Sequence, residues 1–268
     1  MSYLNKKDFD FPTTTEYTKV DVQKVQSELL VMVRHVCSIL ERNNIPYFMA
    51  YGTLIGAIKF EGFLPWDDDI DLFLFDETYN KAIRHLEDEL PPHLIVHSEK
   101  NDKKYFLAWN SVKNLNVKVE AANIYNLDNK LLGFRNLGID LYKLKKVKLS
   151  ELESYRIDEA RLFFERKHRA GIINKNELEI NIEKLISKKE NTNTIHYKCV
   201  DYVYTFVVKM NKPIHPDDIF PLKKIKFENL ELFCPNNPMC VLESSFNKIE
   251  SMPSYEERRP HLRKVIFY

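Results

Sequence analysis

Four aspartates fall within a span of five residues, Asp67, Asp68, Asp69 and Asp71, and the apolar run Leu72, Phe73, Leu74 and Phe75 follows at once. Like charges this close raise each other's pKa, and desolvation raises it further. A fold that buries the run must compensate the acids, and the compensation this pattern favours is a divalent cation. If 69–75 is a strand, alternate side chains share a face, so Asp69 and Asp71 point the same way with Cα atoms roughly 6.5–7 Å apart. Ile70 and Leu72 then turn toward a core. That spacing suits one hard cation, or a pair about 3.5–4 Å apart. It is not an EF-hand loop, because the required Gly and the closing Glu are absent.

Upstream, Pro46 to Tyr51 reads as a short strand, Gly52-Thr53 as a small-residue turn and Leu54 to Lys59 as a helix. A strand, a turn and a helix N-terminus offer free backbone N–H groups and a favourable dipole to a phosphate. Gly52 and Thr53 are the candidate phosphate contacts, and Lys59 is an additional cation. A GT turn or an Asp cluster alone signals little; together, in this order between apolar strands, they point to a metal-dependent active site.

The 268 residues suggest one domain with additions or two small ones. Forty basic and 39 acidic side chains give a net charge of +1, so no global electrostatic argument favours nucleic acid. With 44% hydrophobic and 12% aromatic residues, disorder is excluded as the general state. Cys37, Cys199, Cys234 and Cys240 lie far apart; Cys234 and Cys240 do not fit the spacing of a zinc knuckle, and all four read as reduced thiols, with Cys37 in a core helix, which favours a cytoplasmic protein. The N-terminus has no apolar signal-peptide core, and no run approaches the length of a membrane span.

Residues 1–18 read as an arm. Val22, Val25, Leu29, Met32, Val33, Val36 and Leu40 recur at helical spacing over 20–43. Asp76 is placed to cap a helix over 77–90, closed by Pro91-Pro92. Strands are expected over 93–97, 104–110, 116–125 and 137–142, with a turn at Asp128-Asn129 leading into 130–134. Asp140 is an isolated acid between apolar neighbours. It is either a solvated strand end or a third carboxylate brought beside Asp69 and Asp71 by sheet pairing. Further helices are expected over 150–167, with Ser150 as N-cap and Glu153 completing a capping box, over 177–189 and over 194–209. The basic run Arg161, Arg166, Lys167, His168 and Arg169 either faces an anionic substrate or is a solvated helix face. A hairpin turns at Glu228-Asn229 within 219–234, and a short helix starts at Pro238.

The stretch 44–74, NIPYFMAYGTLIGAIKFEGFLPWDDDIDLFL, resembles the signature of LicD-type proteins, which include the fukutin-related group. The resemblance extends to 137–142, GID included, and to 217–261, where Phe220-Pro221, Phe227-Glu228, Pro235, Pro253, Glu257, Arg258 and His261 match. It implies an α+β, nucleotidyltransferase-like mixed sheet flanked by helices, with an added C-terminal helical subdomain and hairpin. The expected partition is a catalytic core over 1–147 and a subdomain over 148–268 that completes the cleft. The resemblance also implies transfer of a phospho-alcohol, most often phosphocholine from CDP-choline or another CDP-alcohol donor, to a sugar hydroxyl of a surface glycan or glycolipid. Mg²⁺ or Mn²⁺ would be held by Asp69, Asp71 and Asp140, with Asp140 or Asp68 as base. Peripheral contact with the inner face of the cytoplasmic membrane follows if the acceptor is membrane-embedded. A choline headgroup needs an aromatic face, for which Trp66, Tyr51 and Trp109 are candidates. The family often has Arg where Phe60-Glu61 or Asp76 stand, and an aromatic-Gly pair near Ser245-Phe246-Asn247, so the basic phosphate contact and the donor stay open. Two alternatives remain: a nucleotidyltransferase acting on a small acceptor, and a calcium-dependent glycan-binding module.

Overall fold

β2 (Ile70–Phe75) is the strand on which the sheet is built. All six of its residues are buried, which explains why it is apolar on both faces apart from Asp71. β1 (Tyr47–Met49) pairs with it antiparallel on one side, and β5 (Asn136–Lys148) pairs with it parallel on the other. β4 (Asn110–Ala121) follows β5, and β3 (Leu94–His97) follows β4, both antiparallel. β6 (Tyr202–Thr205) adds to the end of β5, and β9 (Leu262–Phe267) adds to β4. The architecture is α+β: among the described residues, a mixed, seven-stranded open sheet flanked by helices. The computed structural model describes residues 3–11, 20–121, 132–187, 200–206, 210–246 and 252–268.

α1 (Val22–Arg42) forms where the helical periodicity predicts it. Asp21 caps it by accepting the Lys24 N–H at 3.0 Å. Its apolar stripe, Cys37 included, is buried. α3 (Asp76–Glu89) packs with α1 against the sheet. Phe75, not Asp76, occupies its cap position. Asp76 instead lies in the first turn, where its charge suits the dipole, and is bridged by Lys145 and Lys143 of β5.

Several expectations are corrected. Gly52 and Thr53 do not form a turn: α2 (Tyr51–Phe60) starts before them, so both lie in its first turn. No strand spans 104–109. α4 (Leu152–Arg169) begins after a 3₁₀ turn, with Glu151 at its cap and no side-chain cap, so the Ser150 capping box is absent. Where a helix was expected over 194–209, the described part contains strand β6; the remainder, like Cys199 and the Asp128-Asn129 turn, lies outside the described residues. α5 (Lys175–Ser187) follows α4, and two short helices, α6 (Pro216–Ile219) and α7 (Pro238–Glu243), flank the hairpin of β7 (Lys223–Phe227) and β8 (Leu230–Cys234).

That hairpin turns at Glu228 with φ +55°. The Glu228 carboxylate accepts the Phe63 N–H at 3.0 Å, which fastens the turn to the loop between α2 and the acid cluster. Among the described residues no helix is long and apolar enough to cross a membrane, and Cys37, Cys234 and Cys240 form no disulfide.

Candidate active site

Parallel pairing of β2 with β5 sets Ile70 opposite Ile139, Asp71 opposite Asp140 and Leu72 opposite Leu141. Paired residues project to the same side, on strands roughly 4.8 Å apart. The Asp71 and Asp140 carboxylates therefore leave the same face of the sheet, and Asp69 stands just ahead of β2. Asp71 is buried. Asp69 and Asp140 are half-buried and line a cleft of about 560 Å³ with Asp68, Trp109, Lys113, Lys167 and His261.

Two hydroxyls hold the pair. The fully enclosed Thr53 accepts the Asp71 backbone N–H on Oγ1 at 2.9 Å. The Tyr142 phenol donates to Asp140 Oδ2 at 3.1 Å. Burial, then the charge of Asp140, pushes the Tyr142 phenol well above its ordinary pKa, so it remains a donor. Behind the acids lies an aromatic bed: Tyr142 packs against Tyr51 at 5.1 Å and Trp109 at 4.9 Å between ring centroids.

Asp68 is buried and has a different task. It accepts the backbone N–H groups of His261 at 3.0 Å and Leu262 at 2.7 Å, and so docks the start of β9 on the acid cluster. Burial pushes its carboxyl up to about 6 against the pull of His261 and of those two amides. It is thus a clamp, occupied on both oxygens, rather than an open general base. Burial, then the neighbouring Asp69, drives Asp67 well above the carboxylate range. Burial alone would lower His261, but its Nδ1 contact with Asp69 at 3.2 Å and the charges of Asp69, Asp68 and Asp67 outweigh it and raise the imidazole to about 10. The sequence flagged His261 only as a match to the family tail; its charged surroundings hid the strand that delivers it.

The remaining candidates are dispersed. A Cβ at Gly52 would lie 3.0 Å from Asp67 Oδ2, so the missing side chain there admits the Asp67 carboxylate. Lys59 lies at the opposite end of α2 from Gly52, roughly 10 Å further along the helix. Trp66 is buried with Phe60 and Leu64, and the Arg258 guanidinium lies 5.7 Å from its ring centroid. It is a core residue, not an open aromatic face. Tyr51 and Trp109 are likewise buried, although Trp109 also contributes to the wall of the cleft.

Carboxylate oxygens are the donors a hard cation takes, and Asp67 Oδ2 is buried without a hydrogen-bond partner among the described residues. The residue types present therefore fit such an ion. Yet among the described residues no three His, Cys, Asp or Glu side chains converge into a ready-made metal cage. Mg²⁺ does not need one, since it is commonly held by one or two carboxylates together with substrate phosphates.

The family model described as "LicD/FKTN/FKRP, nucleotidyltransferase domain" matches residues 44–138. The chain is similar to the LicD family over that segment, which is less than half of its length. The matched segment contains α2, β2 and the acid cluster and ends two residues before Asp140. A lipopolysaccharide cholinephosphotransferase LicD of Haemophilus influenzae is 37% identical over 65 residues, 24% of either chain. A protein of Rickettsia prowazekii, described only as uncharacterised, is 25% identical over 146 residues, 47% of this chain and 48% of its own. This chain thus spans about a quarter of the length of the Haemophilus LicD protein it matches and about half of the Rickettsia one.

Proposed function

We propose that the chain is a LicD-type phosphotransferase that moves a phospho-alcohol, phosphocholine from CDP-choline in the first instance, onto a sugar hydroxyl of a surface glycan or glycolipid. The observation that carries the reading is the in-register pairing of Asp71 with Asp140 on parallel strands, with Asp69 beside them at the wall of a cleft. We read 44–138 as the kernel of a nucleotidyltransferase-like core over 1–147. The cleft is completed from 148–268 by Phe163, Lys167 and His261.

Phosphoryl transfer needs charge neutralisation and alignment more than covalent chemistry. Mg²⁺ or Mn²⁺, held by Asp69, Asp71 and Asp140 together with donor phosphates, would neutralise the diphosphate and lower the pKa of the acceptor hydroxyl. Thr53 fixes the Asp71 backbone, and Tyr142 orients Asp140, which is positioned to accept the acceptor's proton. Trp109 offers the aromatic face for a quaternary ammonium. The reading places the protein in the cytoplasm, at the inner membrane face when the acceptor is a glycolipid.

Incubation with a panel of CDP-alcohols and Mg²⁺ tests the proposal: CMP release with phospho-alcohol on the acceptor is expected. Nucleotide on the acceptor would mark a nucleotidyltransferase instead, and calcium-dependent sugar binding without CMP release a glycan-binding module.

A further inference from the structure

Lys113 pairs with Gly138 where β4 runs beside β5, and Asp140 is the next residue on that face of β5. A methyl group at Gly138 would lie 2.5 Å from Lys113 Nζ, 2.7 Å from Cδ and 3.0 Å from Cε. The lysine stem therefore lies flat across the glycine, in space that any other residue at 138 would fill. Lys113 and Asp140 are diagonal neighbours across the ladder, with Cα atoms roughly 7–8 Å apart, and both line the cleft. Lys113 is half-buried and has no ion-pair or hydrogen-bond partner for its ammonium among the described residues. A half-buried ammonium with no such partner, lining the same cleft as carboxylates it does not touch, is suited to an anion that reaches both.

We propose that Lys113 binds a phosphate of the nucleoside diphosphate half of the donor, with Gly138 holding its ammonium in place. The inference rests on the phosphotransferase reading and adds a cationic contact that is independent of the metal. It also replaces Lys59, which lies at the wrong end of α2. A lysine can serve as a compact point charge for phosphate.

The test is CDP binding by calorimetry, with EDTA and again with Mg²⁺, alongside thermal melts. Lys113→Met is expected to weaken CDP binding by about tenfold or more in both buffers, the range of a charge-assisted contact. Lys113→Arg is expected to restore most of it. Gly138→Ala leaves the lysine chemically intact but displaced, and is expected to weaken binding in the same way, so it decides the matter should Lys113→Met melt early. Wild-type affinity in Lys113→Met or Gly138→Ala would overturn the assignment while leaving the phosphotransferase reading standing. A wild-type protein that binds no CDP in either buffer would overturn both.

Discussion

The Thr53 hydroxyl accepts the Asp71 backbone N–H at 2.9 Å, and both residues are buried. This bond ties the first turn of α2 to the start of β2 and fixes where the Asp71 carboxylate leaves the sheet. Thr53→Val keeps the shape but strands a buried N–H, which costs about 1–3 kcal/mol. Urea denaturation should show that loss, and turnover should fall with it. Thr53→Ser should recover most of both.

Asp68 should behave as a clamp. Asp68→Ala removes a buried acceptor from the amides of His261 and Leu262, and a loss of about 2–4 kcal/mol is expected for two bonds to a charged group. Hydrogen exchange should quicken first along β9 and its β4 partner. Unchanged protection of 262–267 would argue that β9 is held by strand pairing alone.

Acid should loosen the rim of the cleft. His97 is fully buried and bonded through Nε2 to Asp102 Oδ2 at 2.8 Å, and Asp102 also accepts the Gly133 N–H at 2.7 Å. Burial, against the pull of Asp102, lowers the His97 pKa. Burial would raise Asp102, but the Gly133 amide, His97 and the Lys104 amide outweigh it and lower its carboxyl. The folded state therefore binds fewer protons than the unfolded state at both groups, and stability rises with pH. The His97 contribution is complete above the unfolded value of about 6.5 and fades as pH falls below it; that of Asp102 fades below about 3.9. An NMR titration should find His97 titrating below the ordinary histidine value and the Gly133 amide losing protection only in acid.

The centre of this fold was legible because its signals are local. The stripe from Val25 to Leu40 has a helical period, the run after Asp71 is too apolar for anything but a buried strand, and Glu228-Asn229 turns between alternating segments. What escaped depends on partners distant in sequence. β9 carries Arg263 and Lys264 among apolar residues, and it is a strand because β4 offers it an edge. Tyr202–Thr205 sits in an apolar stretch that suits helix or strand equally, and the end of β5 decides it. Gly52 looked like a turn residue because glycine usually marks one. Its absent side chain is instead required by Asp67, a contact that exists only after folding. Lys113 gave no signal in sequence, since its neighbour Gly138 comes from another strand.

The account depends on the facing carboxylates of Asp71 and Asp140, and CMP release from CDP-choline in the presence of Mg²⁺ and a glycan acceptor tests it most directly. Asp71→Asn and Asp140→Asn should each lower that rate by roughly 10²-fold or more, with the Asp71→Asn melt at or above wild type because a buried charge is removed. CMP release at the wild-type rate in either well-folded variant would contradict the account.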